Sequence, residues 1–483
     1  MTVTIEKRWL ALYVLCFGVL MIVLDTTIVT VALPSIRADL GFDETSLVWV
    51  VNAYMLTFGG FLLLGGRLGD LFGHRRLFLI GLTAFTLSSL ACGLATSQVV
   101  LIASRAAQGL GGAVVTAVAL SLIMDLFDEP QDRAKAMGIY GFVCAAGGTI
   151  GALLGGLLTT AFSWHWIFLV NLPIGIIVYA LCLRLLPGGT GPEERVRLDV
   201  AGAVTITLAL VLAVYAIVNG NQAGWTSAQT VGLLGTGAVL FATFLAIEMR
   251  VDAPLVPLRL FRLRNLATAN IVGVLWAAAM FAWFVIAALY MQLLLGYTPL
   301  QIGLAFLPAD LIMAVFSLGL SARIVMRFGI RGPIAVGMLL VGIGLFLFAR
   351  APLEADFLRD ILPGMLLLGL GAGMALNPVL LAAMNDVSPG ESGLASGIVN
   401  TSFMMGGALG LAVLASLAAA RTAALDAFGI DKSVALSGGY AAAFGIGAVF
   451  AVAAAVVSVV MLRAKRLAAA EQDGPAIKAF DQT

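Results

Sequence analysis

The feature that most constrains this chain is a succession of apolar runs, each about as long as the hydrocarbon of a bilayer is thick. A helix needs about 20 apolar residues to cross, and fourteen segments reach that length, the first at 9–33 and the last at 437–462. The fifth (134–158) and the tenth (300–322) are among them. Of the 483 residues 61% are hydrophobic and only 11% charged. A single soluble core stops growing at about 250–300 residues and could not bury this excess. A soluble enzyme, a secreted disulfide scaffold and a disordered regulator are thereby excluded. The alternating ten-residue segments of a transmembrane barrel do not occur. The expected fold class is an all-α integral membrane protein with 14 transmembrane helices.

Charge gives the orientation. The formal net charge of +1 gives no pull toward nucleic acid. Cytoplasmic loops carry the excess of Lys and Arg. With both termini in the cytoplasm, only Arg37, Arg350, Arg359, Arg421 and Lys432 of the 27 basic residues fall outside. Arg105 lies within a helix, and all the others fall inside. The first run is too long for a cleaved signal peptide and carries Asp25. Cys16, Cys92, Cys144 and Cys182 all sit in apolar runs without a CxxC pair, so they read as small buried residues.

The chain also repeats itself. Leu40–Phe42 (LGF) recurs as Leu295–Tyr297 (LGY), and Gly73 in RLGDLFGHRR matches Gly329 in RIVMRFGIR. GLGG from Gly109 recurs as GLGA from Gly369, and Pro130 and Gly138 match Pro389 and Gly397. The offset stays between 255 and 260 residues and spans eight segments, so the two halves share orientation. Parallel six-helix repeats with a site between them are a transporter architecture. The expected division is an N-terminal six-helix bundle (1–190), two inserted helices with flanking loops (191–262), a C-terminal six-helix bundle (263–466) and a short cytoplasmic tail (467–483).

Several stretches resemble the major facilitator superfamily, and within it the fourteen-helix drug:proton antiporters. LDTTIVTVALPSI (Leu24–Ile36) resembles that branch's first-helix motif. GRLGDLFGHRR (Gly66–Arg76) matches the superfamily's cytoplasmic loop motif, and SRAAQGLGGA (Ser104–Ala113) its fourth-helix motif. GALLGG (Gly151–Gly156) resembles the fifth-helix antiporter motif with Ala152 in place of proline. WHWIFLVNLPIG (Trp164–Gly175) follows, with His165 where arginine is usual. LDVAG (Leu198–Gly202) and GWTS (Gly224–Ser227) fit the inserted pair. The resemblance implies a conformational latch at Gly66, Asp70, Gly73, Arg75 and Arg76. It also implies a bendable, leak-preventing fifth helix at Gly151, Gly155 and Gly156. The second-half copy of the loop has Met326 at the Asp70 position, so the latch is expected on one side only.

Three ionisable residues stand out inside the hydrocarbon: Asp25, Arg105 and Asp310. A charge there costs about 2.5 kcal/mol or far more, so it is retained for a reason. Asp25 and Arg105 lie at similar depths, which permits an ion pair; whether their faces meet is not legible. Asp25 reads as a proton carrier, as half of a permanent salt bridge, or as a cap on a helix kink. Asp310, two residues after Pro308, could bind a cationic substrate, carry a second proton, or be buried neutral. Candidates for a substrate pocket are Asn52, Tyr54, Gln108, Trp276, Trp283, Tyr290, Gln292, Asn377, Asn400, Phe403 and Met404. Aromatic and methionine side chains suit a tolerant pocket for flat hydrophobic compounds, and core packing is the plainer alternative. The family often has an arginine and a glutamine near Phe403 and Met404, which this chain lacks.

The expected function is proton-driven export of hydrophobic, often cationic, small molecules such as drugs, antibiotics and dyes. No cofactor is expected beyond the proton gradient, and no metal site. The expected partners are lipid, substrate and protons, in a monomer in a bacterial inner membrane. Export of one natural product, siderophore or lipid, uptake by symport, a membrane enzyme and a non-transporting sensor are the rivals.

Overall fold

The computed structural model describes residues 5–127, 129–186, 199–252, 254–316, 320–384, 387 and 392–462. The tail at 467–483 and the linker at 191–198 lie outside the described residues. Among the described residues every regular element is helical and no strand occurs.

The first half runs through α1 (Ile5–Leu40), α2 (Glu44–Leu47), α3 (Trp49–Phe72), α4 (His74–Gly93), α5 (Gln98–Leu126), α6 (Pro130–Ala161), α7 (Trp166–Leu169) and α8 (Asn171–Leu185). An antiparallel pair follows, α9 (Val200–Ala223) and α10 (Ala228–Glu248). The second half holds α11 (Arg264–Leu293), α12 (Pro299–Val315), α13 (Ser321–Phe328), α14 (Arg331–Ala349), α15 (Leu362–Met384), α16 (Ser392–Ala427) and α17 (Lys432–Met461). Starts are set by local chemistry. Ser97, Asp199, Ser227, Thr298 and Asp431 each accept a backbone N–H in the first turn of the helix that follows, satisfying donors the helix cannot. Pro130 and Pro299 open α6 and α12, where the missing N–H costs nothing.

Twelve described helices are long and apolar enough to cross a membrane. The expected count of fourteen is thus not reached among the described residues. The difference lies in the fifth and tenth segments, where the described apolar stretches are Ile150–Ala161 and Pro299–Val315.

The sequence repeat has a backbone counterpart. Gly41 and Gly296 both adopt positive φ (68° and 70°), as do Gly73 and Gly329 (85° and 73°). That region favours glycine, because a Cβ would strain it. Packing repeats too. α1 packs on α6 and α8, α3 on α5, and α4 on α5 and α8; the same pattern recurs as α11 on α16 and α17, α12 on α15, and α14 on α15 and α17. A Cβ on Gly109 would strike the Tyr54 carbonyl of α3, and one on Gly369 the Ala309 carbonyl of α12. These glycines let backbones approach, the usual source of association where lipid gives no hydrophobic drive between helices.

The halves meet along a seam of matched crossings: α1 with α11, α3 with α16, and α12 with α6. Near the Gly41/Gly296 end, Gly156 lies under Pro299 and Leu300, and Leu300 N–H donates to Thr160 Oγ1 at 3.3 Å. Helix α9 straddles the seam. It packs on α3, with Thr207 against Gly60, and on α16, where Asn221 Nδ2 donates to the Ser416 carbonyl at 2.6 Å and to its hydroxyl at 3.0 Å.

Candidate functional site

Asp25 and Arg105 meet. Arg105 Nη1 lies 2.5 Å from Asp25 Oδ2, with both side chains buried at 1% and 0% exposure. Asp25 Oδ1 accepts from Gln108 Nε2 at 2.8 Å and from Asn171 Nδ2 at 3.0 Å. Arg105 also donates to Gln108 Oε1 at 2.6 Å and, through Nε, to the Val50 carbonyl at 2.9 Å. Ser89 Oγ accepts from Gln108 and Asn171 and donates to the Phe168 carbonyl at 2.9 Å. The guanidinium carbon sits 4.3 Å from the Tyr54 ring centroid, a cation–π contact. Helices α1, α3, α4, α5 and α8 each supply a part. A buried ion pair is tolerable when its geometry is good and the leftover lone pairs and protons are satisfied, and this one meets both conditions.

Sequence reasoning found Asp25, Arg105 and Gln108 but not Ser89 or Asn171. Asn171, a carboxamide inside the apolar run of VNLPIG, was the available signal. Gln108, expected to line a substrate pocket, belongs instead to this ion-pair network and is fully buried. Tyr54 is likewise buried beneath Arg105, and its hydroxyl has no hydrogen-bond partner among the described residues. Asn52 is buried one turn away from Val48, with both amide atoms unpartnered among the described residues.

Asp310 is the contrast. It is 4% exposed, and among the described residues it has no hydrogen bond or ion pair. It shares a face of α12 with Phe306, one turn before it. Phe306 meets Trp283 edge-on at 5.3 Å and Phe284 at 5.2 Å. The repeat puts Asp310 in register with Met55, at the offset of 255. Met55 touches the seam, because its Cε lies where a Cβ on Gly407 of α16 would reach. The counterpart of Gly407 on α6, at the offset of 259, is Gly148. A Cβ on Gly148 would meet nothing within 4 Å.

The remaining pocket candidates divide. Trp276 stacks at a tilt on Phe403, 5.4 Å between centroids, and Met404 packs over Gly59 at the seam. The indole N–H groups of Trp276 and Trp283 and the Gln292 Oε1 are buried without a partner among the described residues. Tyr290 does structural work, its hydroxyl donating to the Pro352 carbonyl at 2.8 Å. Asn400 is exposed and bonds its own helix at the Ser396 carbonyl. Asn377 is half-buried. A small apolar recess lined by Leu47, Val48, Ile286, Leu289, Ala418 and Tyr440 contains none of the candidates.

In the loop motif, Gly73 turns the chain between α3 and α4. Arg75 Nη2 donates to the Leu183 carbonyl of α8 at 2.7 Å, and Arg76 is exposed. Gly66 leaves a Cβ only a distant contact with Ala117. The side chains of Asp70, Met326 and Ser392 lie outside the described residues. In α6, Gly151 and Gly155 press on α1 at Thr27 and Ile28, and Gly156 on α12. α6 runs from Pro130 to Ala161 as one helix. Among the described residues no group of three His, Cys, Asp or Glu side chains could hold a metal ion.

The fold matches a solved structure described as an auto-inhibited POT family peptide transporter, with a TM-score of 0.69, covering 96% of this chain and 99% of that one. At 15% identity that likeness speaks for the fold alone. The cephamycin export protein CmcT of Amycolatopsis lactamdurans is 40% identical over 85% of each chain. The puromycin resistance protein pur8 of Streptomyces alboniger is 39% identical, over 86% of this chain and 83% of its own. The multidrug resistance protein Stp of Mycobacterium tuberculosis is 38% identical, over 83% of this chain and 74% of its own. A model of the Major Facilitator Superfamily matches residues 15–411, and the chain, a multi-pass membrane protein, belongs to that family.

Proposed function

We propose that this protein exports hydrophobic, often cationic, small molecules in exchange for protons, with Asp310 as the carboxylate that holds either a proton or the substrate's positive charge. The family is one of transporters, so the chain is not an enzyme. The names of the bacterial relatives, for resistance to or export of antibiotics, support drugs as the substrate class. The observation that carries the site assignment is the unpartnered, buried Asp310 on the seam face of α12, beside an aromatic cluster. A buried carboxylate without a cation must take up a proton or a cation to be tolerated. Trp283, Phe284, Trp276 and Phe403 offer ring faces to a flat apolar body.

In this reading the Asp25–Arg105 network is the second proton-responsive group. Protonating Asp25 would leave Arg105 without its counter-ion and bias the first half toward another arrangement. The chain crosses fourteen times as two six-helix bundles with α9 and α10 inserted, both termini in the cytoplasm, and acts as a monomer. The Gly41/Gly296 end is then the outer end, and Gly156 against Pro299 closes it. No cofactor is needed. One proton entering down about 150 mV supplies roughly 3.5 kcal/mol, enough for roughly a 300-fold gradient of a neutral substrate.

The test uses purified protein in liposomes, an imposed proton gradient and a fluorescent lipophilic cation. Cation movement opposite to the protons, dependent on the gradient, is expected. A panel of such cations that never moves would overturn export of drugs and leave a dedicated natural product or lipid. Movement in the same direction as protons would make the protein a symporter.

A further inference from the structure

The inserted hairpin of α9 and α10 is closed at one end by its turn at Gly224–Ser227 and at the other by two carboxyl groups. Asp199 caps α9, its Oδ1 accepting from Gly202 N–H at 2.7 Å. Glu248 ends α10, and its Oε2 accepts from Val256 N–H at 3.1 Å. They are 3% and 4% exposed. Their other oxygens, Asp199 Oδ2 and Glu248 Oε1, are buried without a partner among the described residues, and the two side chains lie within hydrogen-bonding reach of each other. Ionised carboxylates only accept, so two carboxylates this close repel unless a proton stands between them.

Among the described residues the charged groups facing Glu248 are Asp199 and Arg67 of α3. Helices α9 and α10 carry no other acidic or basic side chain, and Arg250 and Asp252 in the following strap are exposed. Arg67 Nη2 donates to the Pro254 carbonyl of that strap. Leu64, Ala203 and Leu255 pack together around the cluster. With one proton, the charges of the three side chains sum to zero. Without it, two carboxylates face one guanidinium in a buried site, which is costly.

We propose that Asp199 and Glu248 share a single bound proton, which makes the open end of the inserted hairpin a proton-binding site separate from Asp25 and Asp310. The site couples proton occupancy to the seating of the hairpin and its strap against α3 at Arg67, within the Gly66–Arg76 motif. Losing the proton sets Glu248 against Asp199 and loosens its hold on Val256.

The test is infrared titration of the full protein in lipid, following the protonated-carboxyl C=O band as pH is raised, in an Asp310→Asn background. Glu248→Gln and Asp199→Asn are compared with the parent. Each carboxamide donates N–H across the pair, and asparagine keeps the cap of α9, so both variants fold. The expected result is that either substitution removes the same band and the release of one proton per chain, and that the double variant removes no more. Bands that persist in both variants, or a parent in which neither carboxyl is protonated at any pH where the protein is folded, would overturn the proposal. Glu248→Ala is the control for a purely structural role: it loosens the strap at all pH values, whereas Glu248→Gln does not.

Discussion

Asp25 and Asp310 are both acids buried inside helices, and the protein keeps them in opposite ways. Asp25 accepts three hydrogen bonds, one of them from a full counter-charge, from two other helices, α5 and α8. Asp310 has none of these among the described residues. Burial alone therefore does not mark a working carboxylate in this fold. In the proposed reading the fully satisfied one holds a bundle in one arrangement, and the unsatisfied one waits for a ligand. Depth along a helix does not separate the two, and partners do.

The largest effect that would sharpen this comparison is expected from Arg105→Ala. It strands Asp25 as an uncompensated buried charge, a loss of about 3–5 kcal/mol, read as a large drop in thermal unfolding temperature in detergent. The double variant Asp25→Asn with Arg105→Gln is expected to recover much of that loss. Next comes Asp310→Asn, which has no partner to lose. Thermal unfolding should be unchanged or raised, while gradient-driven export in liposomes is abolished. A variant that unfolds early would place a structural partner at Asp310 and break the comparison.

Gly156→Val is expected to leave each half folded and to push α12 away at Pro299 and Leu300. Export should fall sharply, and a cysteine probe near Thr160 should label faster than in the parent. Asn221→Ala removes two hydrogen bonds from α9 to Ser416 and should cost about 1 kcal/mol in thermal stability.

The smallest effect comes from a surface acid. Asp43 lies outside the membrane-spanning helices. Burial acts to raise its carboxyl, but hydrogen bonds from Ser46, Thr45 and Gln222 outweigh burial and hold it below the ordinary value. Its stabilisation is therefore present above the unfolded value of about 3.9 and lost as pH falls through the lowered folded value. Asp43→Ala should shift thermal unfolding slightly at neutral pH and not at all at strongly acid pH, since the side chain is exposed and screened.

Much of the architecture was legible because it rests on periodic or local signals. Run lengths placed twelve of the fourteen expected crossings among the described residues, and glycines at constant offset marked turns that adopt positive φ in both halves. The Asp25–Arg105 pair was legible as equal depth but not as contact, because helix phase is set by packing that no local signal encodes. Ser89 and Asn171 went unseen for the same reason: they reach Asp25's network from 64 and 146 residues away in the chain. Gln108 was misplaced because a polar residue in an apolar helix looks the same whether it faces a pocket or a buried ion. The fifth-helix glycines, expected to make a bendable helix, let α6 approach α1 and α12 closely.

The most direct test of the account is proton release on ligand binding. Purified protein in detergent, weakly buffered near neutral pH, is titrated with a lipophilic cation while a pH dye is read. The account predicts that the parent and Asp25→Asn release protons as the cation binds, and that Asp310→Asn releases none and binds the cation more weakly. Release that survives in Asp310→Asn and disappears in Asp25→Asn would contradict it, and would move the exchange of proton for substrate to the paired carboxylate.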